Sequence, residues 1–495
     1  MPNKTHEKIR YLVLLVGAVF FVLPRYFTEL DLIYVLSPWI YLTSFLYFTR
    51  TSRRFSWLAF SFVYLIVHEI RYERFLGDYE TAFTWISLVL LILLTIFDVI
   101  PFLLDRYYQK RGKGFLMPLV FPFMRIVVEQ FVIGKQFNLA LSQFGNKWLI
   151  QSAAYVGDIF VSFIVAFVPS VVVWMIIRKD DRKIRTAGSI MLAVCAVIFL
   201  LGGIRYSTYS IPDNAVLMGY ASGPVKTYYE FPSEEDAGYA ENAAYLEKTA
   251  REASEKGARL MAYAEEAFIV YGQEEENLIH EAQKVARDNG IFILMSLDVT
   301  TEEEEGINKI VFIDDKGNYL SDYAKTYLIP VIESEDYIPG DGIIPADLVT
   351  MSDVPLVISY SICYDATFSE YLLSMNSDTQ LFINPSWDWE EVKDLNYRLQ
   401  GISALESGVV LFKPTVDGWS IVVDPYGRLL YKENTMDGDY DLVRYANVPS
   451  ARVKTIYPQI YDASILVWAL LILSVLVVLI NLMVHQFVQW IRSRA

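Results

Sequence analysis

Hydrophobic and polar residues fall along this chain in three blocks with different periods. Apolar segments long enough to cross a hydrocarbon core of about 30 Å recur at the start and appear once more at the end. They run Ile9–Leu23, Leu32–Phe48, Phe55–Ile70, Phe83–Leu104, Phe115–Ile133, Gly157–Ile177, Gly188–Ile204 and Ala463–Val488. The pattern predicts an α-helical transmembrane bundle of eight spans, seven before a polar middle and one after it. The first segment carries Lys4, Lys8 and Arg10 near its start, as a signal peptide would. No small-residue cleavage site follows and Pro24-Arg25 leads into the next apolar run, so it is expected to be retained.

Between Arg205 and Asp462 the period changes. Ala258–Ala264, Gly290–Leu297, Lys309–Ile313, Pro355–Ile362, Gln380–Asn384, Val409–Pro414 and Ser420–Val423 are short runs rich in Ile, Val, Leu and Phe. They read as buried strands. Glu241–Lys256 and Glu275–Arg287 read as helices, and Asp315-Lys316-Gly317 and Pro425-Tyr426-Gly427 as turns. The middle is thus an α/β domain of roughly 250 residues, enough for its own core. The expected division is a membrane domain over 1–204, a polar domain over 205–462, and a last span with a short tail over 463–495.

The loops between spans give an orientation. Arg50, Arg53 and Arg54 follow the second span, Arg106, Lys110, Arg111 and Lys113 the fourth, and Arg178, Lys179, Arg182, Lys183 and Arg185 the sixth. Arg492 and Arg494 end the chain, and the alternate loops hold fewer cations. Basic loops favour the cytoplasm, which puts both termini inside and the polar domain outside. Within the spans, Arg125 and Glu129 are four apart and can pair on one helix face. His68-Glu69 sits near a span end, where an interfacial position is expected.

Composition adds two constraints. With 54% hydrophobic residues and a mean hydropathy of +0.30, the chain is too apolar for an ordinary soluble enzyme. The net charge of -16 comes largely from the middle, as in Glu234-Glu235-Asp236, Glu274–Glu276 and Glu302–Glu305. Such acidity argues against nucleic acid as a partner. Two cysteines occur, Cys195 in an apolar span and Cys363 in the polar domain, so they are not expected to pair.

Cys363 ends a strand in Ser359-Tyr360-Ser361-Ile362-Cys363-Tyr364-Asp365. A thiol needs a base or positive surroundings to become a nucleophile, and the strand ends of α/β sheets are where sites collect. The four histidines are His6, His68, His280 and His485; three belong to the membrane part, and His280 lies beside Glu274–Glu276 on a surface helix. That leaves a carboxylate as base and a Lys to hold negative charge. Candidates are Glu265 and Glu266 in Tyr263-Ala264-Glu265-Glu266-Ala267, and Lys325 in Tyr323-Ala324-Lys325-Thr326-Tyr327, with Glu333 shortly after. Taken singly, such charges are more often solvated than catalytic. Successive side chains at a strand end normally point to opposite sides, so only one of the two glutamates is expected to face the thiol.

These three motifs, in this order, resemble the nitrilase or carbon–nitrogen hydrolase superfamily. With the spans around the domain they resemble in particular its membrane-anchored branch, the apolipoprotein N-acyltransferase family. The family's W-P-E-T-A, K-x-x-L-V-P-F-G-E and I-C-Y-E patterns appear here as Tyr263–Ala267, Lys325–Glu333 and Ile362–Asp365. Weaker echoes are Asn384-Pro385-Ser386-Trp387, Ala404-Leu405-Glu406-Ser407-Gly408 and the run from Gln151 to Gly157. The resemblance implies an αββα sandwich outside the cytoplasm, with Glu265 as general base, Lys325 as oxyanion stabiliser and Cys363 as nucleophile. It further implies that Glu333 is a second carboxylate near the site and that Tyr364 offers a backbone N–H to the oxyanion. Asp365 stands where the family has Glu.

The implied activity is phospholipid-dependent N-acyl transfer through a thioester, with a phospholipid donor and a lipoprotein acceptor, in a bacterial plasma membrane and without cofactor or metal. The sequence departs from the family at Ala264, Asp365, Val331-Ile332, Ser403 and Trp387-Asp388-Trp389, all of which bear on the pocket rather than the three reacting groups. The same three groups fit a membrane-anchored amidase acting on a small amide. A binding protein with a relic site is a third reading.

Overall fold

The computed structural model describes residues 4–53, 56–72, 81–111, 114–130, 137–223, 239–301, 305–330, 332–334, 336–342, 349–351, 356–375, 377–436, 438–440, 442–471 and 473. Contacts divide the chain into two compact units, Met1–Ser207 with Ile456–Ala495, and Thr208–Thr455.

The first unit is helical: α1 (Lys4–Tyr26), α2 (Asp31–Thr51), α3 (Ser56–Tyr72), α4 (Thr81–Gln109), α5 (Val120–Val128), α6 (Ala153–Val156), α7 (Asp158–Ile177) and α8 (Arg182–Thr208), with a further helix over 457–471. Among the described residues, four of these are long and apolar enough to cross a membrane: His6–Tyr26 of α1, α2, α7 and α8. α8 leaves Ile190, Val194, Val197, Leu201 and Ile204 exposed at helical spacing, an apolar stripe suited to lipid. Its inner side is small: a Cβ on Gly202 would stand 1.9 Å from the Trp148 carbonyl oxygen.

Within the expected span Phe115–Ile133 the described residues hold an apolar helix over Met117–Val128. The rest of that segment past Gln130, and most of the expected Ala463–Val488 span, lies outside the described residues.

Buried charge in this unit is paired. Arg50 holds Asp105 through Nε at 2.7 Å and Nη2 at 2.9 Å, and reaches the Ser170 carbonyl and hydroxyl at 2.7 and 2.6 Å. Arg125 binds Glu129 at 2.7 Å, as their spacing predicts, and also Asp98, which accepts from Tyr64 at 2.7 Å. His68, expected near a span end, is buried against the bundle, its Nδ1 2.8 Å from Thr95 Oγ1, because a ring inside a helix bundle needs a polar partner there. Arg50 and Arg106, read above as loop cations, are 6% and 7% exposed and serve the packing.

The second unit opens with β1 (Val216–Ala221), α9 (Tyr239–Glu255), β2 (Leu260–Tyr263), β3 (Phe268–Tyr271), α10 (Glu274–Asn289), β4 (Phe292–Thr300), β5 (Gly306–Ile313) and β6 (Tyr319–Ala324). It continues with β7 (Val349–Met351), β8 (Leu356–Tyr360), α11 (Ser369–Leu373), β9 (Leu381–Ile383), β10 (Ser386–Trp387), α12 (Lys393–Ser407), β11 (Val410–Lys413), β12 (Thr415–Val416), β13 (Trp419–Val423), β14 (Leu429–Asn434) and β15 (Arg444–Val448). The described strands form a seven-stranded sheet in the order β15-β1-β2-β4-β5-β6 with β3 beside β4, and a six-stranded sheet in the order β14-β13-β11-β9-β8-β7. β10 and β12 make a separate parallel pair.

Strict alternation builds the layers. Leu260, Ala262, Phe292, Leu294, Ile310 and Phe312 face the second sheet, where they meet Ile358, Tyr360, Leu381, Ile383, Val410 and Phe412. The residues between them, Met261, Tyr263, Ile293, Met295, Val311 and Ile313, pack under α9 and α10. α9 buries Asn242, Tyr245, Leu246, Thr249, Ala250 and Ala253, one helical stripe. α12 covers the second sheet against β11 and β13, which completes an αββα sandwich. Strands covered on both faces read as continuous apolar runs.

The buried pair of the first unit is testable. Asp105→Asn keeps the shape but leaves the Arg50 guanidinium without a counter-charge, and should cost about 3–5 kcal/mol. The apparent Tm in detergent should fall clearly; an unchanged Tm would show that Arg50 is solvated.

Candidate active site

Three strand ends converge. β2 delivers Glu265 just past Tyr263, the end of β6 delivers Lys325, and β8 leads to Cys363. Lys325 is set by its backbone, since its N–H donates to the Asn308 carbonyl at 2.8 Å and its carbonyl accepts from Gly340 N at 2.8 Å. Its Nζ lies 2.7 Å from Glu265 Oε1 and 2.5 Å from Glu333 Oε1. Glu333 is held in turn by the Ile329 N–H at 2.7 Å. The second oxygen of Glu265 accepts the Trp387 N–H at 2.6 Å.

Cys363 starts a 3-10 turn with φ of 40°, left-handed for a residue with a Cβ. A sharp strand-to-helix turn of this kind presents a nucleophile clear of its own sheet. The Cys363 N–H donates to Pro385 O at 2.8 Å, and Sγ lies 3.8 Å from Trp387 O. Asp365 ties this turn to the lysine segment: Oδ1 accepts Tyr327 N at 2.7 Å, and Oδ2 accepts Ile362 N at 3.2 Å and the Tyr323 hydroxyl at 3.0 Å. Tyr364 lies in the turn, its ring edge-on to Phe368, which stacks on Tyr327.

The structure thus brings Glu265, Lys325, Cys363, Glu333 and Asp365 together, all of them buried. It overturns the expectation about the neighbouring glutamates. Glu265 and Glu266 both take a hydrogen bond from Asn308 Nδ2, each at 2.9 Å, so they share one side. The cause is Glu266, whose φ of 55° breaks the alternation of an extended strand. Asn308 itself escaped the sequence reading, as did the main chain of Trp387; Asn308 and Lys309 are the polar residues of the apolar strand β5, and that break is the signal that points to Asn308.

Electrostatics follow from crowding. Glu265, Glu266 and Glu333 each place a carboxylate oxygen within 4.8 Å of the others, with the Lys325 ammonium between two of them, where a cation would otherwise sit. Burial works against the charge on Lys325, but Glu265, the Cys363 sulfur and Glu333 outweigh it and hold its pKa well above the usual value. Burial, then Asp298 and Glu265, push Glu266 well up, so this carboxyl keeps its proton. Burial raises Asp298 to about 6 and Asp365 to about 7. The Cys363 thiol is pushed well up by burial and by Glu265, with Lys325 opposing. The resting group is a thiol, so a base has to take its proton as the sulfur attacks.

A carbon-nitrogen hydrolase family model matches residues 236–457, and a model of the apolipoprotein N-acyltransferase N-terminal domain matches residues 17–172. The apolipoprotein N-acyltransferase of Rickettsia prowazekii is 23% identical over 368 residues, 68% of this chain and 70% of the relative. That of Rickettsia typhi is 22% identical over 317 residues, 60% and 62% of the two chains. A solved amidase from Nesterenkonia sp. is 19% identical, with a TM-score of 0.41, covering 51% of this chain and 95% of its own. By fold and motif the second unit is a nitrilase-like domain, carried by a membrane protein. The chain belongs to the apolipoprotein N-acyltransferase family.

The raised pKa of Asp365 has a consequence for stability. The folded state holds a proton that the unfolded chain releases above about pH 4, so this contribution is complete below that pH and is lost as the pH rises through 7. Asp365→Asn cannot titrate. From pH 5 to pH 8 the difference in Tm between variant and wild type should move in the variant's favour. A difference independent of pH would mean that Asp365 is ionised throughout.

Proposed function

We propose that the chain is a phospholipid-dependent N-acyltransferase that works through an acyl-thioester on Cys363. The observation that carries this reading is one buried cluster in which Lys325 bridges Glu265 and Glu333 while the main chain of a single residue, Trp387, touches both Glu265 and Cys363. Family membership supports the substrate class, a lipid donor and a lipoprotein acceptor.

In the first half-reaction Glu265 takes the Sγ proton as the sulfur attacks the ester carbonyl carbon of a glycerophospholipid. Lys325 and the Tyr364 N–H hold the oxyanion, a donor of this kind being worth about 3–4 kcal/mol. Collapse breaks the C–O bond, and Glu265 returns the proton to the lyso-lipid alkoxide. In the second half-reaction the N-terminal amine of a diacylglyceryl-cysteine attacks the thioester carbon. Glu265 accepts the amine proton, the C–S bond breaks, and the departing sulfur recovers the proton. Glu333 keeps Lys325 in place, and Asp365 keeps the lysine segment against the nucleophile turn.

All eight apolar segments cross the bilayer in this reading, and the domain over 205–462 faces away from the cytoplasm of a bacterium. Donor and acceptor both live in the bilayer, so tethering the enzyme there makes the encounter local.

Intact-mass analysis after incubation with phosphatidylethanolamine tests the chemistry. Wild type should gain one acyl group on Cys363, Cys363→Ala none, and Glu265→Gln should load slower by orders of magnitude. Glu266→Gln should load at an intermediate rate, because it shares Asn308 with the base. Turnover of a small amide with no acyl adduct from lipid would instead make the protein an amidase.

Orientation is tested in a background without Cys195 and Cys363. A membrane-impermeant thiol reagent on intact cells should label a cysteine at Ala240 and miss one at Lys110, both exposed positions. Labelling in the opposite sense would invert the topology.

A further inference from the structure

A second buried ion pair lies next to the cluster. Asp388 Oδ2 is 2.5 Å from Lys413 Nζ, with both side chains fully buried. Its other oxygen accepts Asn396 Nδ2 at 2.8 Å. Lys413 ends β11 and Asn396 lies in the first turn of α12, so one carboxylate fastens the segment after β9 to both sheet and helix. The Asp388 N–H also donates to Val416 O at 3.1 Å, extending the short β10–β12 pair.

The residue before Asp388 is Trp387. Its N–H donates to Glu265 Oε2 at 2.6 Å, and its carbonyl lies 3.8 Å from Cys363 Sγ. That carbonyl and the Asp388 N–H belong to one planar peptide unit. Whatever fixes Asp388 therefore fixes the carbonyl that faces the thiol. A buried ion pair is a poor source of stability, since apolar residues of similar volume often do as well. Its value here is in orientation.

We propose that the Asp388–Lys413 ion pair is a positioning device for acyl transfer, holding the Trp387 peptide so that Glu265 and Cys363 stay in register and setting two opposite charges beside the thiol. The inference rests on Cys363 being the nucleophile. The two charges act on the thiol in opposite senses, Asp388 raising its pKa and Lys413 lowering it.

The test uses the full-length protein in detergent with Cys195 replaced by Ser. The rate of Cys363 alkylation by iodoacetamide is followed against pH, beside single-turnover loading from phosphatidylethanolamine. Asp388→Asn should move the alkylation midpoint to lower pH and Lys413→Met to higher pH, each with at least a tenfold loss of loading. The apolar double variant, Asp388→Leu with Lys413→Met, should recover the Tm and the midpoint while loading stays at least tenfold down. Loading that recovers with the Tm would reduce the pair to a structural role and overturn the proposal, as would midpoints that move in the same direction in the two single variants.

Should the single variants fail to fold, Asn396→Ala removes one restraint on Asp388 without stranding a charge. It should slow loading several-fold at unchanged donor KM, and a wild-type rate would count against the proposal. Wild-type protein that alkylates at Cys363 but never loads an acyl chain would refute the proposed function instead, and the opposed midpoint shifts would still report on the pair.

Discussion

Lys325 is 1% exposed and its Nζ lies 2.7 Å from one carboxylate and 2.5 Å from another, so the cost of stripping water from it is offset only while both stay in place. That requirement organises the site. Glu265 comes from the first sheet's β2, Glu333 from the segment after β6, and Cys363 from the end of β8 in the second sheet. The ammonium therefore links strand ends that the layers alone would leave at separate places. Asn308 reinforces the arrangement from one residue, holding Lys325 by its carbonyl and both glutamates by its amide.

The backbone is bent to serve this. Glu266 and Cys363, at φ of 55° and 40°, are two of the three non-glycine residues with positive φ among those described. Such conformations cost of order 1–3 kcal/mol each and persist where the surroundings over-determine them. Around Cys363 the surroundings are specific: Pro385 takes its N–H, Gln400 its carbonyl, and Asp365 the N–H of Ile362 just before it. Crowding Glu265, Glu266 and Glu333 around one ammonium, with Asp298 acting on Glu266, stores further strain, eased by the raised proton affinity of Glu266 and Asp298.

Much of the fold was legible because burial on both faces leaves a plain trace. β2, β4, β5, β8, β9, β11 and β13 are the continuous apolar runs, and α9 shows its stripe. Part of what escaped lacked that trace. β6 and β14 are edge strands with mostly half-exposed side chains, and β10 and β12 are two residues each. α12 is buried almost all round with Lys393, Asp394, Arg398 and Glu406 among its residues, so no polar face marks it as a helix. In the site, the Glu265, Lys325 and Cys363 motifs could be read because they sit at strand ends in a familiar order. Asn308, the Trp387 peptide and the Lys413 partner of Asp388 contribute through hydrogen bonds across the sheets, which sequence spacing does not encode.

Buried charge occurs in both units, but the Arg50–Asp105 pair and the Lys325 cluster are balanced differently. In the first unit Arg50 spends four hydrogen bonds on Asp105 and Ser170, and the pair is neutral. Around Lys325 the carboxyls outnumber the ammonium, and beside them lies a thiol whose pKa is pushed up. Such a set cannot be neutral with every group in its ordinary state, so protons are retained within it and can be passed between sulfur and carboxylate at little further desolvation cost. Saturated pairing makes Arg50–Asp105 a fastener, while the shortage of cations around Lys325 makes that cluster a place where proton transfer is cheap.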